Sequence, residues 1–433
     1  MRPRFLVLLL VLGITLRIIT FWFLAPANVD HHEQVIAFLL RFHALPQTWQ
    51  IHEAHNPPLY YLMAASLGFT GRLKAIQGLS LAFSIATLFA LFHLITRSGV
   101  IISQRAQAYS FLMACFLPQF VLFSLYVSND TLAILFGSLA AIVTWRYIRV
   151  PSWPGLILLS TVVGAGLLTK TTFVVLIPVL LVLICWYPRQ KSHGWNAIVR
   201  AYAFIGIVTL LGGFKFADNL VRYDDPFFSN MDLGQDWSID HERTYRGLQS
   251  FLDVNVGRLV TSPIVGEATT GAYPVLLYGT FWYPHIPDGS LNHGSRINLR
   301  YLGSAIFLMA LLPSVFFFVG LGRLLYGLPA LLRAFDSSRQ DDLRKLAQSV
   351  FALTIAIGIL LLNVTALRHH EWSIFQGRFL FPWFFGGAVA FSAGIDAVVQ
   401  GPRRQLAMAI SMGMLITLFW AFFGSELMWA AQQ

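Results

Sequence analysis

Residues 5–24 read FLVLLLVLGITLRIITFWFL, an apolar run whose one charge is Arg17. A helix needs about 20 such residues to cross the hydrocarbon core of a bilayer, so this stretch is expected to span. Directly behind it the character changes. Pro26-Ala27-Asn28-Val29-Asp30-His31-His32-Glu33 leads on to His52-Glu53-Ala54-His55-Asn56-Pro57-Pro58-Leu59-Tyr60-Tyr61. Ionisable groups crowded against the end of a spanning helix mark where chemistry is expected. Arg2 and Arg4 precede the run as they would in a signal peptide, but no convincing small-x-small cleavage site follows, so it reads as a retained first helix.

The same apolar character runs through the chain. Of 433 residues, 56% are hydrophobic and 12% charged, with 37 Phe and 12 Trp, whereas soluble domains hold about 45–50% apolar residues. Roughly eleven segments read as spanning helices, near 5–25, 76–96, 106–127, 130–148, 154–169, 172–187, 199–216, 301–325, 346–366, 379–398 and 405–424. The fold class is therefore an all-α polytopic membrane protein. An N-terminal transmembrane core is expected over 1–216, with a first outer loop at 26–75. An extracytoplasmic loop or small cap should follow over 217–300, and C-terminal transmembrane helices over 301–433.

Within the first loop, residues 30–45 carry apolar positions at helical spacing but are too short and too charged to span, which predicts an interfacial helix. Pro57-Pro58 then fixes an extended lead-in to a half-length helix from Leu59 to Phe69. The segments 154–169 and 172–187 are short. Sixteen helical residues rise about 24 Å, less than the ~30 Å core. Lys170 between them should lie below the surface, in a recess lined by protein. Cys115 and Cys185 fall inside apolar runs and suggest buried small side chains rather than a disulfide or a metal site.

A formal charge of +10 would suit nucleic acid, but its distribution points elsewhere. With a cytoplasmic N-terminus, most Arg and Lys fall in inner loops, as the positive-inside rule requires. Of the twenty Asp and Glu, only Asp336, Asp341, Asp342 and Asp396 fall inside. The functional polar surface is thus expected on the extracytoplasmic face of a plasma (inner) membrane, with membrane lipids and no nucleic acid as partners.

Asp30 and Glu33 are spaced i, i+3, which would set both carboxylates on one face of a helix starting near Val29. Such a pair can supply a general base or hold a divalent cation; the same spacing also fits an N-cap aspartate with glutamate at N3. Ser128-Asn129-Asp130 lies in the next outer turn, where Asp130 also suits a helix N-cap. Lys170 and Arg378 are isolated cations at outer helix mouths, against the orientation bias. Lipid phosphate lies at that depth, although snorkelling anchors would look alike. His31, His32, His52 and His55 lack a metal-ligand spacing such as HExxH.

These residues together resemble a family. His55-Asn56-Pro57-Pro58-Leu59-Tyr60-Tyr61 behind an acidic residue is similar to the H-x-PPL-x-Y segment of GT-C glycosyltransferases, the group of protein O-mannosyltransferases and lipid A aminoarabinose transferases. Ser128-Asn129-Asp130 looks like their second acidic loop, and Gly166-Leu167-Leu168-Thr169-Lys170-Thr171-Thr172 like their G-L-x-x-K-x-T hairpin. Gln376-Gly377-Arg378-Phe379-Leu380-Phe381-Pro382 resembles their GRY-x-x-P late helix. The resemblance implies a transferase taking a sugar from a polyprenyl-phosphate-linked donor, inverting, to an unidentified lipid, glycan or protein acceptor. Asp30 would be the base, with Asp130 assisting or helping a divalent metal. Lys170 and Arg378 would meet the donor phosphate, and His55, Asn56, Pro57, Tyr60 and Tyr61 would shape the substrate pocket. His31-His32 stands where relatives often carry a second acid, which leaves open whether Glu33 replaces it. No large soluble domain follows the last apolar segment, which favours a small sugar as cargo.

Two rival readings remain at this stage. A transporter should bury charges near the midplane within repeated broken helices, and Arg17 is the clearest charge inside a span. An O-antigen ligase or polymerase would work through a large outer loop, here one carrying Arg222, Arg243, Arg246, Arg258, Arg296 and Arg300.

Overall fold

The computed structural model describes residues 3–24, 30–68, 73–186, 194–233, 248–252, 257, 273–283, 299–368 and 376–430. Every regular element among them is helical. In chain order these are α1 (Pro3–Phe23), α2 (His32–Phe42), α3 (Leu59–Ser66), α4 (Leu73–Arg97), α5 (Gln104–Phe116), α6 (Pro118–Phe123), α7 (Asn129–Arg149), α8 (Trp153–Leu167) and α9 (Leu176–Trp186). They continue with α10 (Gly194–Gly212), α11 (Phe214–Tyr223), α12 (Tyr273–Trp282), α13 (Leu299–Ala334), α14 (Gln340–Arg368), α15 (Phe384–Val398) and α16 (Pro402–Ala430). A single α-helical turn lies at Gln249–Leu252, and short 3-10 turns lie at His52–His55, Thr171–Val175, Asn230–Leu233 and Gly377–Trp383.

Seven helices among the described residues are long and apolar enough to cross a membrane, and α10 with α11 makes an eighth as a pair bent by 69°. The remaining expected spans are helical but shorter or broken. α8 and α9 are short apolar helices, and the segment 106–127 divides into α5 and α6 because Pro118 lacks an N–H and holds Leu117 at ψ 116°.

That break leaves backbone carbonyls without helical partners, and a charged side chain meets them. Arg17 is fully buried; its Nη2 donates to Ala114 O at 2.9 Å, its Nη1 to Cys115 O at 3.0 Å and to Gly13 O at 3.2 Å, and its Nε to Ser84 Oγ at 2.7 Å. The guanidinium thus ties α1, α4 and α5 together through neutral dipoles.

The two most buried spans are α7 and the unit formed by Gly377–Trp383 with α15. About their apolar windows, 72% and 78% lie inside the protein, against 33–50% for the other spans. They touch at Gly137, where a Cβ would overlap the backbone carbonyl of Pro382. α13 runs along α15 in equally close contact, since a Cβ on Gly320 would overlap Ala390 O and one on Gly394 would overlap Phe316 O. Close backbone approach through small residues is how helices associate in lipid, where no hydrophobic effect drives them together.

The first connection carries two short helices, as expected, with one difference. The helix predicted near Val29 begins at His32, because His31 takes a left-handed conformation at φ 58° and breaks the register. Asp30 therefore precedes the helix rather than sharing a face with Glu33, and no side chain caps its start. Asn230 from the predicted cap and Lys215 just before it fold back onto this connection. Asn230 Nδ2 donates to His52 Nε2 at 2.8 Å, and Lys215 Nζ donates to Thr48 Oγ1 at 3.3 Å. Arg243, Arg246, Arg258 and Arg296 lie outside the described residues.

Candidate active site

Asp30, Asp130, Lys170 and Arg378, far apart in sequence, meet at one end of the bundle. Arg378 Nη1 donates to Asp30 Oδ2 at 2.7 Å and lies 3.9 Å from Asp130 Oδ2. Lys170 Nζ bonds the other oxygen of Asp130. Two acids and two cations thus compensate one another, as burial demands. Asp130, Lys170 and Arg378 are nearly enclosed, while the Asp30 side chain keeps 22% of its surface open.

Local sequence explains how each member is held. Ser128 caps α7 by accepting from Asp130 N at 3.1 Å, which places Asp130 in the first turn. Asn129 Nδ2 donates to Thr169 O at 3.2 Å and Leu59 N to Leu168 O at 3.0 Å, so the Lys170 turn is fastened to α7 and to the Pro57-Pro58 segment. Gly166 permits this turn, because a Cβ there would collide with the Phe173 ring. Before Arg378, Gly377 lies against the backbone of Phe281, where a side chain would not fit, and its N–H donates to Thr280 Oγ1 at 2.7 Å. Aromatic faces complete the enclosure: Arg378 lies 4.5 Å from the Phe123 centroid and Lys170 4.7 Å from that of Phe379.

His32 lies behind the acids. Its Nε2 is 3.2 Å from Ser128 Oγ and 3.9 Å from Asp30 Oδ2, and its Nδ1 is 2.7 Å from Tyr61 Oη. One arrangement satisfies these groups in sequence: Tyr61 O–H donates to His32 Nδ1, His32 Nε2–H donates to Ser128 Oγ, and Ser128 O–H donates to Asp130 Oδ2 at 3.3 Å. Burial pushes the Tyr61 phenol well above its usual range, helped by Glu53, Tyr60, Asp30 and Asp130, so it remains a donor.

Glu53 forms the next layer, accepting from Asn56 Nδ2 at 2.5 Å and bonding His52 Nδ1 at 2.9 Å. Burial alone would raise its carboxyl, but the fields of His32, His55 and His52 with the His52 hydrogen bond outweigh that and hold it below the ordinary carboxylate range. Sequence reasoning passed over His32 and Glu53 as site residues. The two adjacent histidines read as helical neighbours pointing apart, whereas His31 outside the helix is exposed and His32 is buried.

The other expected site residues divide. Glu33 lies 3.8 Å from His31 Nδ1 and has one buried oxygen without a hydrogen-bond partner. Tyr60 and Pro57 are packed inside, with Tyr60 Oη 3.3 Å from Ser80 Oγ. His55 Nδ1 donates to His52 O at 2.9 Å. Asn56 and Tyr61 line a cavity together. Among the described residues, no group of three or more His, Cys, Asp or Glu side chains is placed to hold a metal ion. Asp30 and Asp130, the pair expected to share a divalent ion, each face a cation instead; this donor set does not fit a metal, and no step below uses one.

This helical bundle is similar in fold to that of a solved oligosaccharyltransferase. The oligosaccharyltransferase of Archaeoglobus fulgidus, in a structure tethered with an acceptor peptide containing the NVT sequon, matches with a TM-score of 0.50 at 12% identity, over 99% of this chain and 56% of that one. The chain thus spans little more than half the length of that enzyme. ArnT from Cupriavidus metallidurans, in the apo state, matches with a TM-score of 0.39 at 13% identity over 91% of this chain and 77% of that one. No family profile and no curated protein sequence matches the chain.

Proposed function

We propose that this protein is a membrane glycosyltransferase that moves a sugar from a polyprenyl-phosphate-linked donor to an acceptor hydroxyl or amine on the extracytoplasmic face of the plasma membrane. On this reading residues 1–216 form the N-terminal transmembrane core, 217–300 an outer loop or cap, and 301–433 C-terminal transmembrane helices that bring Arg378 to the site. The fold shared with an oligosaccharyltransferase supports the class, and the four-residue cluster supports the chemistry.

The observation that carries the reading is the state of Arg378. Its Nη1 serves both acids, yet its Nε is buried and has no hydrogen-bond partner among the described residues. A guanidinium presents five N–H donors in a fork matched to phosphate, so a spare buried donor beside Lys170 suits an incoming phosphate. Asp30, the most open of the four, takes the proton from the acceptor. The acceptor atom bonds to the anomeric carbon as the bond from that carbon to the phosphate oxygen breaks. The electron pair stays on the lipid phosphate, where Arg378 and Lys170 stabilise it. A single displacement of this kind inverts the anomeric centre. His32 and Ser128 hold the acids in place.

The test is genetic and chemical. Mass spectrometry of lipids from a strain lacking the protein should show a lipid-linked sugar that accumulates and is consumed again on restoring the wild-type chain but not Asp30→Asn. Absence of any such accumulation would count decisively against the transferase.

A further inference from the structure

Beside Tyr61 lies a cavity of about 60 Å³ that the reaction above does not use. On the same measure a water molecule needs about 10–15 Å³, so several waters or one tetrahedral oxyanion fit. Its polar lining comes from Gln47, Asn56, Tyr61, Lys215, Asp218 and Arg222.

The charges in this lining do not balance. Lys215 is 5% exposed; its Nζ donates to Thr48 Oγ1 at 3.3 Å and stands 3.9 Å from Asp218 Oδ2. Asp218 is shared between the two cations, since its Oδ1 accepts from Arg222 Nε at 2.5 Å. Among the described residues one carboxylate therefore faces two cations, the buried Lys215 and the exposed Arg222 at the rim, and an ammonium with three N–H donors has a hydroxyl as its hydrogen-bond partner. Enclosing an ammonium whose counter-ion is distant and shared is costly, and an anion entering the cavity would offset that cost.

Its position indicates which anion. α11 leaves α10 at 69°, and beyond the cavity lining it exposes Leu220 at 51% and Val221 at 86%. A helix that presents apolar side chains outward and Lys215, Asp218 and Arg222 to the cavity has the pattern of one lying in the plane of the bilayer interface. Lipid headgroups lie at that depth.

We propose that the cavity under α11 binds a phosphate group carried by a membrane lipid, with Lys215 and Arg222 as its ligands and Asp218 as the internal counter-charge that sets the affinity. The site is distinct from the Arg378 cluster and does not depend on the transferase reading.

Binding is measured on the full chain in neutral detergent by thermal protection, with phosphatidic acid, phosphatidylcholine and inorganic phosphate as separate probes. Phosphatidic acid should protect the wild type more than phosphatidylcholine does. Lys215→Gln and Arg222→Gln should each weaken that protection about tenfold in apparent affinity, the loss of one charge-assisted hydrogen bond. Asp218→Asn should tighten it, a change in the opposite direction that misfolding cannot mimic. Equal affinity in wild type and all three variants, or no preference for phosphatidic acid, would overturn the site. Inorganic phosphate protecting as strongly as phosphatidic acid would overturn the lipid as its source.

Discussion

Arg17 and Arg378 are both buried guanidiniums in one apolar bundle, and they are neutralised by different chemistry. Arg17 donates to the carbonyls of Gly13, Ala114 and Cys115 and to the Ser84 hydroxyl. Arg378 faces the carboxylates of Asp30 and Asp130 and keeps one buried donor unused among the described residues. A cation held by backbone dipoles has nothing to exchange, and it serves the fold. A cation held by carboxylates, with donors to spare, can meet a second anion. The contrast separates structural from chemical charge where burial alone does not, since Arg17 is the more deeply enclosed of the two.

The sharpest way to break this contrast is at Asp30. Asp30→Asn should lower sugar transfer by about 10²–10⁴-fold, the usual worth of a general base, and should lower thermal stability less than changes in the buried pair do, because Arg378 keeps Asp130 as a partner. A thermally intact variant that kept full activity would remove Asp30 from the chemistry. The buried pair behind it should answer differently. Asp130→Asn or Lys170→Met alone should cost about 3–5 kcal/mol by stranding a buried charge, and the double variant should cost less than the sum, as a double-mutant cycle in detergent would show.

Arg17→Leu sharpens the structural side of the comparison. It should destabilise by about 1–3 kcal/mol through carbonyls left without donors, while activity per folded molecule stays unchanged. A loss of turnover in the folded fraction would place Arg17 in the chemistry after all.

The smallest effect expected is in acid. The Glu53 carboxyl is held below its ordinary value of 4.5 in the folded chain. Its ionised form therefore favours folding above that pH, and this contribution is lost as pH falls below it. Glu53→Gln should flatten the drop in melting temperature on acidification by a few degrees at most, and an unchanged profile would show that the histidine fields do not outweigh burial there.

Much of this was legible in the sequence, for reasons that differ by element. The long apolar runs gave α1, α4 and α7 directly, since a bilayer imposes length on a helix. The cluster of Asp30, Asp130, Lys170 and Arg378 was legible from charges at helix mouths and from motif resemblance. Arg17 stood out as a charge inside a span, but the Ala114 and Cys115 carbonyls that meet it were hidden, because they are freed only where Pro118 interrupts a helix about a hundred residues further on. His32 was misjudged for a conformational reason: adjacent residues diverge on a regular helix, and the left-handed turn at His31 breaks that regularity. The cavity under α11 could not have been read at all, since it needs the bend at Gly213 to bring Lys215 beside Thr48.

Gly137 has a reach beyond its own contact. By lacking a methyl it lets α7 settle against the carbonyl of Pro382, about two turns along the helix from Asp130 and just past Arg378 in the late turn. The spacing of acid and guanidinium is therefore gauged in the dry interior, as the opening of a vice is set at its screw and not at its jaws. Drift among homologues at the exposed rim would leave that gauge untouched, whereas one added carbon at this glycine would reset it.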